Sequence, residues 1–137
     1  MTRRESPAFS VALRVYWEDT DAAGIVFYAN YLKFFERART EWLRSFGFGQ
    51  EALRREAGIA FVVSETRLRY RRPARLDDLI DVSVDVVHLG QASLEIAQQA
   101  RRADELLADG TIRIGCVELG TFRPCRIPND IRDCIHR

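Results

Sequence analysis

Residues 11–18 alternate between apolar and polar faces. Val11, Leu13, Val15 and Trp17 fall on one side and Arg14, Tyr16 and Glu18 on the other, and a period of two predicts a strand. The period then changes. Tyr28, Tyr31, Phe35, Ala38, Trp42 and Phe46 recur at steps of three and four, which predicts a long amphipathic helix from about Asn30 to Gly47, its stripe widened by Leu32, Phe34 and Leu43. Asn30 stands where a helix cap is expected. Arg37 and Glu41 are spaced to pair across one turn, an interaction worth ~0.2–0.5 kcal/mol. Gln50 to Ala57 predicts a short second helix stopped by Gly58.

After Gly58 the period returns to two. Ile59 to Arg72 reads as a long strand with Val62, Thr66, Leu68 and Tyr70 inward. Pro73 to Asp78 is a connection, with Asp77 and Asp78 as turn-forming acids. Leu79 to His88 turns Ile80, Val82, Val84 and Val86 inward, and Ala92 to Arg102 turns Leu94, Ile96 and Ala100 inward. Leu106 to Leu119 is a last long strand, whose Gly110 and Gly115 mark bulges or close backbone approaches. Asn129 to Ile135 has room for one or two helical turns. Strand, loop, one dominant helix and four meandering strands predict an α+β arrangement: a single antiparallel sheet of about five strands with the long helix on its face. The helix carries large aromatics that need a sheet to enclose them. Open sheet edges favour association between copies.

The chain's 137 residues are one domain's worth. We take 1–137 as a single domain, with an ordered core at about 10–128 and a C-terminal tail at 120–137. Twenty-one basic against twenty acidic residues, net +1, give no global pull toward nucleic acid. The basic set holds one lysine, Lys33, the rest being arginine. No apolar run approaches the ~18–20 residues of a membrane span. The segment Met1 to Pro7 has no apolar stretch behind it, as a secretory signal would. Cys116, Cys125 and Cys134 are spaced for no tight metal pair. Free thiols in a reducing cytoplasm are therefore expected, and no metal.

The chain has no phosphate loop, no dinucleotide fingerprint and no Gly-x-Ser-x-Gly elbow. His88 ends a strand, His136 lies in the tail, and Cys116 alternates with core positions, so a Cys–His nucleophile pair is not indicated. The acidic loop between the first strand and the long helix is different. Asp19 and Asp21 precede the apolar run Ile25, Val26, Phe27 and Tyr28, which argues for a buried loop with a reactive carboxylate. Gly24 permits a tight turn. The loop runs into a helix N-terminus, where backbone N–H groups collect. An acid beside such donors suits acyl transfer: the donors polarise a carbonyl while the acid attacks it or activates water.

The string Arg14-Val15-Tyr16-Trp17-Glu18-Asp19-Thr20-Asp21-Ala22-Ala23-Gly24-Ile25-Val26-Phe27-Tyr28, continuing through the helix to Glu41, resembles the signature of hotdog-fold acyl-CoA thioesterases of the 4-hydroxybenzoyl-CoA thioesterase type. It is most similar to the bacterial Tol–Pal-associated branch. Ala60-Phe61-Val62-Val63 and Pro73 to Asp78 share the likeness, which covers roughly residues 11–128.

The resemblance implies a hotdog fold, a long central helix wrapped by an antiparallel sheet. It implies a homodimer joined edge to edge, often paired again into a homotetramer, with active sites between subunits. Asp21 matches the catalytic carboxylate, as nucleophile or general base. A backbone N–H at Ala60 or Phe61 would hold the carbonyl oxygen, and Asp19 would orient the loop. Gly24, Phe27, Tyr28 and Tyr31 would line the substrate pocket, with Phe61 near it. Tyr28 stands where many relatives of the Tol–Pal branch carry histidine and benzoyl-type relatives carry tyrosine.

Arg71, Arg72 and Arg75 are candidates for coenzyme A phosphates, which arginine grips bidentately. The implied activity is hydrolysis of acyl-CoA to acid and CoA without a cofactor, acyl-carrier protein being a second potential donor. A non-catalytic acyl-CoA or acyl-carrier-protein binding scaffold of the same fold is the alternative. A hotdog hydratase is disfavoured, because neither histidine lies in the acidic loop.

Overall fold

The computed structural model describes residues 9–136, so the N-terminal segment read above lies outside the described residues. Five strands form one antiparallel sheet: β1 (Phe9–Arg14), β2 (Ile59–Tyr70), β3 (Leu79–Leu89), β4 (Ser93–Arg102) and β5 (Glu105–Glu118), in the order β1-β3-β4-β5-β2. Helix α1 (Asn30–Ser45) lies on one face of it. The short helix α2 (Gln50–Ala52) runs into a wide turn at Leu53–Ala57, stopped by Gly58 at φ +67°. Helix α3 (Asn129–His136) closes the chain. This is the α+β arrangement expected from the hydrophobic pattern and the hotdog fold that the resemblance implies.

Period two built the sheet's inner face. Ile80, Val82 and Val84 of β3, Leu94, Ile96 and Ala100 of β4, and Ile112, Ile114 and Cys116 of β5 are buried against Phe34, Phe35, Ala38, Trp42 and Leu43 of α1. One inner position is polar. Gln98 donates its side-chain amide to the Phe35 and Ser83 carbonyls, at 3.1 and 3.2 Å, and accepts from Arg39 at 2.9 Å. Every polar atom of this buried group therefore has a partner, which is the condition for tolerating it in a core. The group ties α1 to the middle of the sheet.

Three expectations change, and a fourth holds at one of its two positions. β1 stops at Arg14 and a single 3-10 turn (Trp17–Asp19) follows, so the alternation breaks and Trp17 is 79% exposed instead of inward. In β2 the pairing with β5 shifts between Val63 and Glu65, leaving Ser64 as an extra residue. That bulge reverses the parity of the strand. Phe61 and Val63 therefore turn toward α1 and Val62 away; Leu68 keeps its inward place, whereas Tyr70 reaches the Tyr31 ring but is 46% exposed and Thr66 is exposed. Glu41 pairs with Arg44 at 2.6 Å, one turn ahead, and not with Arg37. Of the two strand glycines, Gly110 is a close approach: a Cβ there would lie 2.1 Å from the Arg67 carbonyl oxygen, whereas Gly115 has no heavy atom within 4 Å.

Candidate active site

The acidic loop folds as a small hairpin docked on the β2–β3 connection. Thr20 bridges Val26, and Ile25 bridges Arg75. The Val26 N–H donates to the Ala74 carbonyl at 2.8 Å, the Asp77 N–H to the Val15 carbonyl at 3.0 Å, and the Val15 N–H to the Asp78 carbonyl at 2.9 Å. Asp19 is the anchor. It is 4% exposed; one carboxylate oxygen accepts from the Tyr16 N–H and the other from the Asn30 side-chain amide, both at 2.9 Å. Asn30 is thus not a cap but a tether. The cap residue is Ala29, which makes no side-chain bond to the helix start. The first N–H groups of α1 bond back to Phe27, Tyr28 and Ala29, leaving the Tyr28 and Ala29 N–H groups without acceptors among the described residues.

Asp21 sits at the hairpin tip. One of its oxygens accepts from the Ala23 N–H at 2.8 Å and its own N–H donates to Ile25, while the second oxygen is free of hydrogen bonds among the described residues. Gly24, at φ +80°, closes this turn in the left-handed region that glycine adopts without strain. The loop is not buried as its apolar run had suggested. Asp21 is exposed, and so are Phe27 and Tyr28, the latter at 63%. One sheet and one helix cover only the inward side of the loop, so these aromatics form a surface a single chain leaves open.

Beside the hairpin, Ile25, Val26, Tyr28, Tyr31, Tyr70 and Arg71 line a cleft of about 260 Å3, with Arg72 and Pro73 at its rim. Tyr70 packs edge-on to Tyr28 and tilted to Tyr31, ring centroids 6.1 and 5.6 Å apart. Burial raises the Tyr31 phenol above its usual range, and burial together with Tyr28 raises Tyr70. Both therefore stay protonated at neutral pH and can donate hydrogen bonds but not act as bases. Of the residues the resemblance assigns to the substrate pocket, Tyr28 and Tyr31 line this cleft and Gly24 and Phe27 do not. Tyr70 was legible only as a core position of β2.

The arginines divide. Arg71 is paired with Asp109 at 2.6 Å and Arg72 with Glu105 at 3.1 Å, both largely exposed, whereas Arg75 is in none of the ion pairs among the described residues. His88 lies at the far end of β3 from this hairpin, about 30 Å along a strand of that length.

The two main-chain donors expected in β2 stand apart from Asp21 within one chain. Phe61 lies beside Trp42 and Leu43, near the C-terminal end of α1, whereas Asp21 precedes its N-terminal end. They also differ from each other. The Leu119 N–H donates to the Gly58 carbonyl. By the alternation of an antiparallel ladder, Gly58, Ala60 and Val62 then turn their backbone groups to β5, and Ile59, Phe61 and Val63 turn theirs to the open edge. The Ala60 N–H is therefore committed to the sheet, a correction to its candidacy, while the Phe61 N–H is open.

Among the described residues no helix is long and apolar enough to cross a membrane. Residues 15–135 match the family described as the thioesterase-like superfamily. The chain is 41% identical over 128 residues to the acyl-CoA thioesterase YbgC of Haemophilus influenzae, covering 93% of this chain and 94% of that protein. It is 40% identical over 124 residues to the acyl-CoA thioester hydrolase YbgC of Escherichia coli O157:H7, covering 90% and 92%. Among solved structures it is similar to a probable thioesterase from Bartonella henselae, with TM-score 0.83, 32% identity and coverage of 88% and 100%. It is also similar to the BH1999 gentisyl-coenzyme A thioesterase, with TM-score 0.84, 27% identity and coverage of 92% and 98%.

Proposed function

The chain belongs to the thioesterase-like superfamily, and from that premise we propose that it is an acyl-CoA thioesterase in which Asp21 works on the thioester carbonyl. The observation that carries this is the exposed carboxylate of Asp21, with one oxygen free of hydrogen bonds among the described residues, on the hairpin that leads into a helix start whose Tyr28 and Ala29 N–H groups lack acceptors among the described residues. Attack on the carbonyl carbon, by Asp21 itself or by water it deprotonates, moves charge onto the carbonyl oxygen. Main-chain donors held by folded structure meet that charge without reorganisation. The sulfur of CoA leaves as the thiolate, and the acid is released. The protonated phenols of Tyr31 and Tyr70 bound the cleft without competing as bases.

The site is completed by a second copy. β2 has no strand on its outer side among the described residues, and it carries exposed Val62 and Val63. Two such edges pair antiparallel about an axis near Ser64 and Glu65. This sets the Phe61 end of each strand level with the Tyr70 end of the other, where the helix start and Asp21 lie. The exposed aromatics are then covered. Arg71 and Arg72, which line the cleft, and Arg75, which lies in none of the ion pairs among the described residues, are the candidates for the phosphates of CoA.

The test is thiol release from a panel of acyl-CoA substrates by wild type and by Asp21→Asn. Loss of a group that transfers a proton or attacks predicts a fall in kcat/KM of about 10²–10⁴, and retention of full kcat/KM overturns the assignment. A single turnover in ¹⁸O-water separates the two roles. Water opening a mixed anhydride at the Asp21 carbonyl leaves the first-turnover acid unlabelled, whereas direct attack by water labels it. Sedimentation of the intact protein reports the pairing, and a monomer at assay concentration would exclude a shared site.

A further inference from the structure

A second cavity, about 120 Å3 and more enclosed than the aromatic cleft, lies beneath α3. Its inner wall is hydrocarbon: Phe61 of β2, Leu94 of β4, Ile114 of β5, and Ile127, Ile131 and Ile135 of the C-terminal segment. Ile127 and Ile131 are 0% and 1% exposed. Ile131 and Ile135 are one turn apart on α3, so the same helix face presents both. That helix is fixed and not a flap: the Arg132 guanidinium donates to the Gly90 carbonyl at 2.6 Å, and the Ile127 N–H donates to the Gln91 carbonyl at 2.8 Å. The exposed lining residues Glu36, Gln50 and Val63 mark the open side, and Val63 lies on the free edge of β2.

We propose that this cavity takes the distal end of the acyl chain and that α3 is its end wall, so that Ile131 and Ile135 set the acyl length the enzyme prefers. The proposal rests on the thioesterase reading above. The cavity's chemistry selects its occupant. No buried side-chain nitrogen or oxygen among the described residues lacks a partner, and the one cation in the wall, Arg39, is already held by Gln98. The interior therefore offers dispersion contacts and exclusion of water, which reward hydrocarbon and penalise a polar group. Its open side faces the edge across which a second copy brings Asp21. A cavity of about 150 Å3 holds the six carbons of benzene, so one of 120 Å3 holds about four or five.

The experiment measures kcat/KM over straight-chain acyl-CoA substrates from two to twelve carbons for wild type, Ile131→Ala, Ile135→Ala and Asp21→Asn. Wild type should show one preferred chain length, with kcat/KM falling beyond it. Each alanine variant should move the peak up by about two carbons, and raise the ratio of eight-carbon to four-carbon kcat/KM at least about tenfold, the discrimination carried by a methylene or two in an apolar pocket. Ile135 is only half buried, so its variant keeps the test open even where the Ile131 substitution weakens folding. If both alanine variants scale every chain length by one factor with the peak unmoved, α3 is not the end wall. Asp21→Asn keeps the two readings separate: activity lost at every length upholds the hydrolytic site whatever the peak does, and activity retained overturns that site while the peak shift still decides α3.

Discussion

Replacing Asp19 by alanine tests whether this residue fastens the acidic hairpin to the helix. The substitution removes both acceptors from a 4%-exposed position and strands two donors, the Asn30 side-chain amide and the Tyr16 N–H. A buried donor left unpaired costs ~1–3 kcal/mol. The Asn30 amide is fully enclosed and pays this in full, while the Tyr16 N–H is part-buried and recovers some from water. We therefore expect a loss of about 2–4 kcal/mol. Asp19→Asn keeps one acceptor and turns an amide donor toward the other N–H, so its loss should be about half as large. Asn30→Ala should cost less in the Asp19→Ala background than in wild type, because its amide is then already unpaired. Urea unfolding at fixed protein concentration measures the four variants against wild type, concentration being held because pairing of copies shifts apparent stability. An Asp19→Ala protein within about 0.5 kcal/mol of wild type, the range of ordinary surface changes, would refute the tether.

Three further outcomes follow from the structure. Gly110→Ala places a Cβ against the Arg67 carbonyl and must part β2 from β5, a loss of ~3 kcal/mol or more; Gly115→Ala meets nothing and should gain ~0.5–1 kcal/mol, so thermal unfolding of the pair gives opposite shifts. Burial first, and then the neighbouring Cys125, push the Cys116 thiol up to about 12. A thiol-reactive disulfide dye at pH 8 should leave Cys116 unlabelled in the folded protein while reaching Cys134, and label all three cysteines once the chain is unfolded; native labelling of Cys116 at the rate of Cys134 would contradict this. Burial alone would raise the Asp78 carboxyl, but the Arg75 N–H and the Arg102 guanidinium outweigh it and hold it below its usual value. A carboxyl lowered by folding stabilises the fold above its unfolded value, about pH 4, and that contribution disappears as pH falls through the lower folded value. Asp78→Asn should therefore be less stable at pH 7 and have a flatter acid limb, read from unfolding midpoints between pH 7 and 3.

The hydrophobic pattern carried most of the fold. Ile80, Val82 and Val84, then Leu94, Ile96 and Ala100, are buried as their alternation requires, and the α1 stripe is buried from Tyr31 to Leu43. The pattern erred where one local event overrode it. The turn at Trp17–Asp19 ended an alternation that the residue types alone would have continued, and the bulge at Ser64 exchanged the faces of Val62 and Val63. Neither event leaves a compositional mark, since both depend on what the neighbouring strand offers to pair with.

The candidate site divides along the same line. The acidic string, its glycine turn and the helix after it were legible because hairpin, turn and helix start are built from residues a few positions apart. That Asp19 rather than Asp21 is consumed by hydrogen bonds, that Ala60 faces β5 while Phe61 faces the open edge, and that Tyr70 joins Tyr28 and Tyr31 were decided only by the folded chain. The cavity beneath α3 belongs to the second group as well. Ile131 and Leu94 are 37 positions apart, and nothing in either local pattern says that they share a wall. Local chemistry is encoded by spacing along the chain, whereas the sides of a cavity and the direction of a backbone N–H are fixed by register and packing between segments that meet only after the sheet has closed around the helix.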